Sequence, residues 1–376
     1  MNDKILNTLN ELIKLKSITP NDNGCQKYIY DFLKPLGFEK EIFKFNDVSN
    51  IILRKGNKKP VLSFVGHTDV VPVGDESKWS TDPFNLEQKG NKVFGRGVAD
   101  MKGSIACMMC ATEDYILKNK NFDGTLLFIF TSDEEGIAVD GIQRLVKERV
   151  LDKYNLDYCL VGEPTSKEKF GDTIKNGRRG SLSGELTIKG LQGHIAYPQN
   201  TINPIHLSGP ILNQLISEKY DEGDEYFTPT SFQISNINAG YGVENIIPGE
   251  ITIKFNFRYS NQVNHKELID RVENILDKFN VDYQINWKHS GEPYLTTKKE
   301  FLQICKSAVE NITGITPVVS TDGGTSDGRF IAKICNQVIE FGLLNDSIHK
   351  IDEHTNIDDL VSLSKIYKRI LSNVFN

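Results

Sequence analysis

The sequence predicts an α/β protein in which a domain with a mostly parallel sheet is interrupted by a smaller inserted domain. Three observations lead there. Residues 1–165 alternate between apolar strand-like runs and amphipathic helical stretches, residues 180–291 read as strands and helices of a different order, and the remaining residues return to the first pattern. At 376 residues, and with about 100 to 200 residues per domain, two domains are expected.

In chain order, PVLSFVGH, TLLFIFTS and LDYCLVGE are apolar almost throughout, as strands buried on both faces are. Each ends in a histidine or an acid: His67 and Asp69, then Asp133, Glu134 and Glu135, then Glu163. Ligands of open α/β sheets bind beyond the carboxyl ends of the strands, so these side chains are expected to meet in one crevice. Next come strand 181–189, helix 203–219, strands 230–238 and 250–259, helix 264–280 and strand 282–287. That order, βαββαβ, is ferredoxin-like. Its clearest strand is ITIKFNFRY, where Ile251, Ile253, Phe255 and Phe257 alternate with Thr252, Lys254, Asn256 and Arg258. The following helix carries one apolar stripe, Leu268, Val272, Ile275, Leu276 and Phe279. FLQICKSAVENI then predicts a helix, NQVIEFG a buried strand and DDLVSLSKIYKRILSNVF a closing helix. The chain thus divides into 1–179 and 293–376, which form one domain, and 180–292, which forms the other.

With 39% hydrophobic and 25% charged residues the composition is that of a globular protein, and 44 basic against 50 acidic residues leave a net charge of -6. No sequence-wide attraction to nucleic acid or to an anionic membrane follows from such a balance. The longest apolar run, Ile105 to Ala111, falls far short of the roughly 20 residues of a membrane helix. The N-terminal segment lacks the small-residue cleavage site of a signal peptide. Six cysteines are scattered, and Cys107-x-x-Cys110 lies inside an apolar helical stretch with no second pair, which predicts buried reduced thiols and a cytoplasmic protein.

His67 and Asp69 lie two apart, so in an extended segment both project from one face, and Asp69 can orient the imidazole as carboxylates do behind metal-bound histidines. Asp100, in GRGVADMKG, opens a helix, and its plain reading is an N-terminal cap. GRGVAD is not a dinucleotide loop, because Asp100 stands where the third glycine belongs and no clear strand precedes it. Glu134 and Glu135 are adjacent and cannot aim at one atom, so they take different roles. Glu163 precedes Pro164, which favours extended backbone. One histidine and four acids gathered at the ends of three strands and in a loop, with His349 available from a later loop, would repel one another unless a cation joined them. Imidazole and carboxylate ligands without thiolate suit catalytic zinc or a related divalent ion, and a shared aspartate between two ions would use the surplus of acids.

GHTDVVP, WSTDPF, GRGVADMKG, TSDEEG, VGEPT, GHIAYP and the late histidine together resemble the zinc amidohydrolase superfamily of aminoacylases, acetylornithine deacetylases and related carboxypeptidases. NGRRGSL, GGTSDGRF and LNDSIHKIDE are similar to its desuccinylase branch. The resemblance implies two zinc ions per subunit, replaceable by cobalt, with Asp100 bridging them, His67 and Glu163 on one and Glu135 and His349 on the other. It implies Glu134 as general acid/base, Asp69 as the partner of His67, and a homodimer whose inserted domain serves as lid and carries His194 to the neighbouring subunit. His354 is a rival to His349, while His206, His265 and His289 read as structural or surface residues. The implied substrate is a small anionic N-succinyl amino acid, with succinate and LL-2,6-diaminopimelate as products. Arg178 and Arg258 are the best candidates to hold its carboxylates, since a guanidinium binds one through two parallel hydrogen bonds. Asn245, Thr325 and Asn345 resemble further substrate contacts.

Overall fold

The computed structural model describes residues 2–375. They form two compact units: 2–177 with 295–320 and 326–375, and 178–294 with 321–325. The short 321–325 segment belongs to the second unit, whereas sequence reasoning places it within 293–376.

The first unit is built on one eight-stranded sheet. Its strands are β1 (Glu39–Phe45), β2 (Val48–Gly56), β3 (Val61–His67), β4 (Thr125–Thr131), β5 (Tyr158–Val161), β6 (Thr173–Lys175), β7 (Val318–Ser320) and β8 (Val338–Glu340). They lie side by side in the order β1-β2-β4-β3-β5-β8-β6-β7. The inner four, β4, β3, β5 and β8, are mutually parallel and buried along their whole length. Both flanks reverse: β2 is antiparallel to β4 and to β1, and β6 is antiparallel to β8 and parallel to β7. The sheet is therefore mixed and mostly parallel. A two-residue turn joins β1 to β2, with Asn46 in the left-handed region at φ 52° that such hairpins require. The edge strand β1 exposes Glu39, Lys40 and Glu41, charges that discourage further strand pairing.

Register places the chemistry. His67 is opposite Thr131, and Val65 is opposite Val161, so the ends of β3, β4 and β5 release their following residues at the same edge of the sheet. Helices Asn2–Lys14, Lys102–Lys118, Lys299–Thr313 and Ile357–Phe375 pack on one another. They join Leu62, Phe64, Phe128 and Phe130 of the sheet in one apolar core. Helix Lys102–Lys118 is buried nearly all round because SIACMMCA offers no polar stripe, and all six cysteines are buried and unpaired.

The second unit has strands Gly180–Lys189, Ser231–Ala239, Glu250–Tyr259 and Tyr283–Gly291 with helices Pro204–Ser217 and His265–Lys278, in the order β-α-β-β-α-β. Its antiparallel sheet runs 231–239, 250–259, 180–189, 283–291. Leu182, Leu186, Ile253 and Phe257 meet Ile211, Leu215, Leu268 and Val272 in its core. The last strand continues to Gly291, past the expected 287, because pairing with 180–189 persists through a bulge at Ser181/Leu182 to Ser181 opposite Gly291. Helix His265–Lys278 starts with a capping box from Asn264 and Glu267. No helix among the described residues is long and apolar enough to cross a membrane.

Candidate metal centre

Beyond the ends of β3, β4 and β5, four side chains from separate segments converge around Asp100. Its Oδ1 lies 3.2 Å from His67 Nε2 and its Oδ2 lies 3.4 Å from His349 Nε2, so the two oxygens of one carboxylate face two imidazoles. Glu163 Oε1 is 3.8 Å from His67 Nε2, and Glu135 Oε1 is 2.9 Å from His349 Nε2. Asp100 does not cap the helix as its plain reading suggests. The helix begins at Lys102 with Met101 at its N-cap, and the Asp100 carboxylate is left for the imidazoles.

The surrounding loops fix these side chains through main-chain hydrogen bonds. His67 Nδ1 is 2.9 Å from the backbone oxygen of Asp69, against 3.7 Å from its carboxylate. The Asp69 carboxylate instead accepts from the N–H groups of Glu134 (3.3 Å) and Glu135 (3.1 Å), which ties the His67 strand to the acidic turn. Asp133 accepts from the amides of Ala138, Val139 and Asp140 and closes that turn from its other side. His349 occupies left-handed backbone at φ 59°, a strained conformation for a non-glycine residue of the kind that persists at functional sites.

Electrostatics follow from burial and crowding. Burial pushes the Glu163 carboxyl well up, and the neighbouring Asp100 and Glu134 charges push it further. Glu134 is pushed up to about 8, chiefly by burial, with Asp327 and Glu135 adding to the effect and His67 and Arg329 opposing it. Burial also works against the ionised Asp100, yet hydrogen bonds and charge from His349 and His67 hold its carboxyl well below the usual range. Conversely, Asp100 and Glu135 raise His349 to about 10. Burial disfavours a charged His67, but Asp100, Glu163 and Asp69 raise it nonetheless. Protons thus stand where positive charge is wanted.

Those donors fit a divalent cation better. Tetrahedral bonds of about 2.0 Å put ligand atoms about 3.3 Å apart, which is the spacing seen around Asp100. Glu163 Oε1 is buried with no hydrogen-bond partner among the described residues, although buried carboxylate oxygens are normally satisfied. Groupings able to hold an ion include His67, Asp100 and Glu135, and also His67, Glu134 and Glu163.

Other expected residues lie elsewhere. His354 pairs with Lys92 through Nε2 and lies against the Phe94 ring at 5.3 Å, tilted by 39°. The Asn345 amide donates to Ser166 O in the first unit. In the second unit the buried Arg178 sends Nη1 towards Gly324 O at 3.3 Å, next to Thr325. Arg258 stands opposite Ser181 and Ser231. Exposed His194 pairs with Ile246 beside Asn245, whose backbone oxygen accepts from Ile195. A further group, His265, His289 and Glu292, is close enough to hold an ion. The two rings stack 4.1 Å apart at 13°, however, so their in-plane lone pairs do not converge on a point, and both histidines already contact Glu292 or Tyr259. Sequence reasoning missed Asp327, which acts on Glu134, and Glu353, whose partners are distant in the chain. Both lie within the stretches GGTSDGRF and LNDSIHKIDE, but nothing in their spacing singles either acid out from its polar neighbours.

Residues 63–373 match the model of the Peptidase family M20/M25/M40. The chain belongs to that family. Among curated relatives, it is 50% identical over 366 residues to the succinyl-diaminopimelate desuccinylase of Hydrogenovibrio crunogenus, covering 97% of each chain. It is 48% identical over 374 residues to that of Pseudoalteromonas atlantica, covering 100% of each. Among solved structures, an M20 family metallo-carboxypeptidase, Sso-CP2 from Sulfolobus solfataricus, superposes with a TM-score of 0.85 at 19% identity, over 99% of both chains. The YXEP protein of Bacillus subtilis, described as a dinuclear metal binding peptidase of the M20 family, gives a TM-score of 0.73 at 16% identity, over 100% of this chain and 98% of that one. At such identities the structural likeness speaks for the fold.

Proposed function

We propose that this family member hydrolyses the amide of N-succinyl-LL-2,6-diaminopimelate to succinate and LL-2,6-diaminopimelate, a step of lysine and diaminopimelate biosynthesis. The observation that carries the reading is identity of 48–50% to relatives of that name over nearly the whole chain. Asp100, with one oxygen towards each of two imidazoles, supplies the matching chemistry.

In this reading His67 and Glu163 would hold one zinc ion, Glu135 and His349 would hold a second, and Asp100 would serve both, with cobalt an acceptable substitute. Such ions, when bound, polarise the acyl oxygen and make water acidic enough to attack at neutral pH. Glu134 takes the proton from that water and returns it to the leaving amine nitrogen. A carboxyl is suited to carrying a proton between those two transfers, and burial, which pushes Glu134 up in the metal-free chain, favours its protonated form. Asp69 keeps the His67 ring oriented through its backbone oxygen and holds the Glu134–Glu135 turn with its carboxylate.

The substrate is anionic and the chain carries a net charge of -6, so recognition rests on local cations. Arg178 and Arg258 are placed on the substrate carboxylates, with Asn245, Thr325 and Asn345 as hydrogen-bonding neighbours. The second unit is read as a ferredoxin-like lid and dimerisation domain. Exposed apolar residues around His194 support that assignment, among them Leu191, Ile195, Tyr197 and Ile202. In the homodimer His194 donates to the developing oxyanion of the neighbouring subunit. Six buried unpaired cysteines accord with a reducing cytoplasm.

Succinate release from the synthetic substrate by zinc-loaded protein tests the assignment. Turnover of acetylornithine with none of the succinylated substrate would move the chain to the sister deacylases.

A further inference from the structure

Glu353 has no part in the ligand set above, yet it is 1% exposed and its carboxylate is fully engaged by a single loop. Oε1 accepts from the amides of Ala99 (3.0 Å) and Asp100 (3.1 Å), and Oε2 accepts from the Gly97 amide (3.0 Å) and from Arg96 Nη1 (2.7 Å). The Gly95 amide donates to the Glu353 backbone oxygen at 3.0 Å. Five of the six residues from Gly95 to Asp100 are thus fastened to one residue. A buried carboxylate is costly unless several donors stabilise it, and four donors from 96–100 do so here.

Arg96 extends the linkage to the loop that bears His349. Its Nη1 also donates to Lys350 O at 3.1 Å, the residue directly after His349, and its Nη2 reaches Pro72 O at 3.4 Å. The guanidinium lies 5.1 Å from the Trp79 ring centroid, so neither its plane nor its charge is free to drift. The Arg96–Glu353 pair therefore joins the backbone of Asp100 to the backbone beside His349, the two residues whose side chains meet at 3.4 Å.

We infer that Glu353, acting with Arg96, is a positioning residue that sets the shared carboxylate of Asp100 against the His349 imidazole at the spacing two ligands of one cation require. It touches neither substrate nor cation and acts through the amides of Ala99 and Asp100. The inference rests on the two-cation reading and deepens it. Replacing the carboxylate by an amide turns one acceptor into a donor that faces N–H groups, so Glu353→Gln loosens the loop while nearly preserving volume.

The test is zinc titration of metal-free protein, followed by equilibrium dialysis with elemental analysis, alongside thermal melting of the metal-free forms. Wild type is expected to take up two zinc ions per chain. In Glu353→Gln the more weakly held zinc should bind about 10- to 100-fold less tightly, the range seen when groups behind metal ligands are removed. Excess zinc should restore most of kcat, with KM little changed. Arg96→Lys, which keeps the charge but loses the forked contact to Lys350 O and Glu353, should show a smaller loss in the same direction, and it serves as the second probe if Glu353→Gln does not fold. Both variants binding zinc as tightly as wild type, with only their melting temperatures lowered, would reduce Glu353 to a structural role and overturn the inference. Wild type failing to bind two ions would instead overturn the two-cation reading beneath it.

Discussion

Glu134 and Glu135 are neighbours in sequence with opposite surroundings: Glu135 lies 2.9 Å from His349, while Glu134 sits where burial pushes its carboxyl up to about 8. Division of labour between them follows, and it is measurable. Glu134→Gln is expected to lower kcat by about 10²- to 10⁴-fold while two zinc ions still bind. Retention of full turnover would remove Glu134 from the proton transfers. Glu135→Gln should instead weaken zinc binding. The clustering of these acids was legible in the sequence because each follows an apolar strand. The orientation of Asp69 was not: spacing put its carboxylate towards His67, whereas the folded chain uses its backbone oxygen at 2.9 Å and spends the carboxylate on two amides of the next loop. Side-chain spacing along one strand carries no information about amides arriving from another.

At the scale of elements, the inner strands β3, β4, β5 and β8 were readable as continuous apolar runs, since burial on both faces leaves no polar alternation. The reversed flanks were not, because β6 and β7 are three residues long and their direction depends on partners far along the chain. One close approach supports the site. A Cβ on Gly342, just after β8, would lie 2.5 Å from Glu163 O and 2.7 Å from Gly162 O, backbone atoms that cannot step aside cheaply. Gly342→Ala is therefore expected to cost about 1–3 kcal/mol in unfolding free energy and to weaken zinc binding by displacing Glu163. Denaturant unfolding of the metal-free and zinc-loaded forms separates the two effects, and an unchanged midpoint in both would refute the clash.

For the molecule as a whole, the metal-free site stores protons. Glu134 rises from 4.5 to about 8 and His349 from 6.5 to about 10 on folding, so the folded chain binds more protons than the unfolded one between those limits. Stability must then fall as pH rises. The Glu134 contribution declines through the window from 4.5 to about 8, and the stabilisation from His349, complete below 6.5, is lost through about 10. Zinc displaces those protons, so its stabilising effect grows over the same range. Scanning calorimetry with chelator and with zinc, at several pH values from about 5 to 9, should show the two melting curves diverging as pH rises. A metal-free melting temperature that climbed with pH would contradict the assigned shifts. The two-unit division was visible as a change of pattern near residue 180, but the 321–325 excursion was not, since a five-residue segment has no periodicity to betray it.

Arg96 and Glu353 are 257 residues apart, and His349 with Glu135 are 214 apart. A ribosome adding about 5 to 20 residues per second therefore exposes His67, Asp100, Glu135 and Glu163 well before it delivers their last companion. During that interval the nascent chain presents a crowded set of acids with neither the clasp nor the second imidazole. Loading with metal consequently belongs to the finished polypeptide, and fragments ending short of the final loop should emerge from translation as poor competitors for zinc.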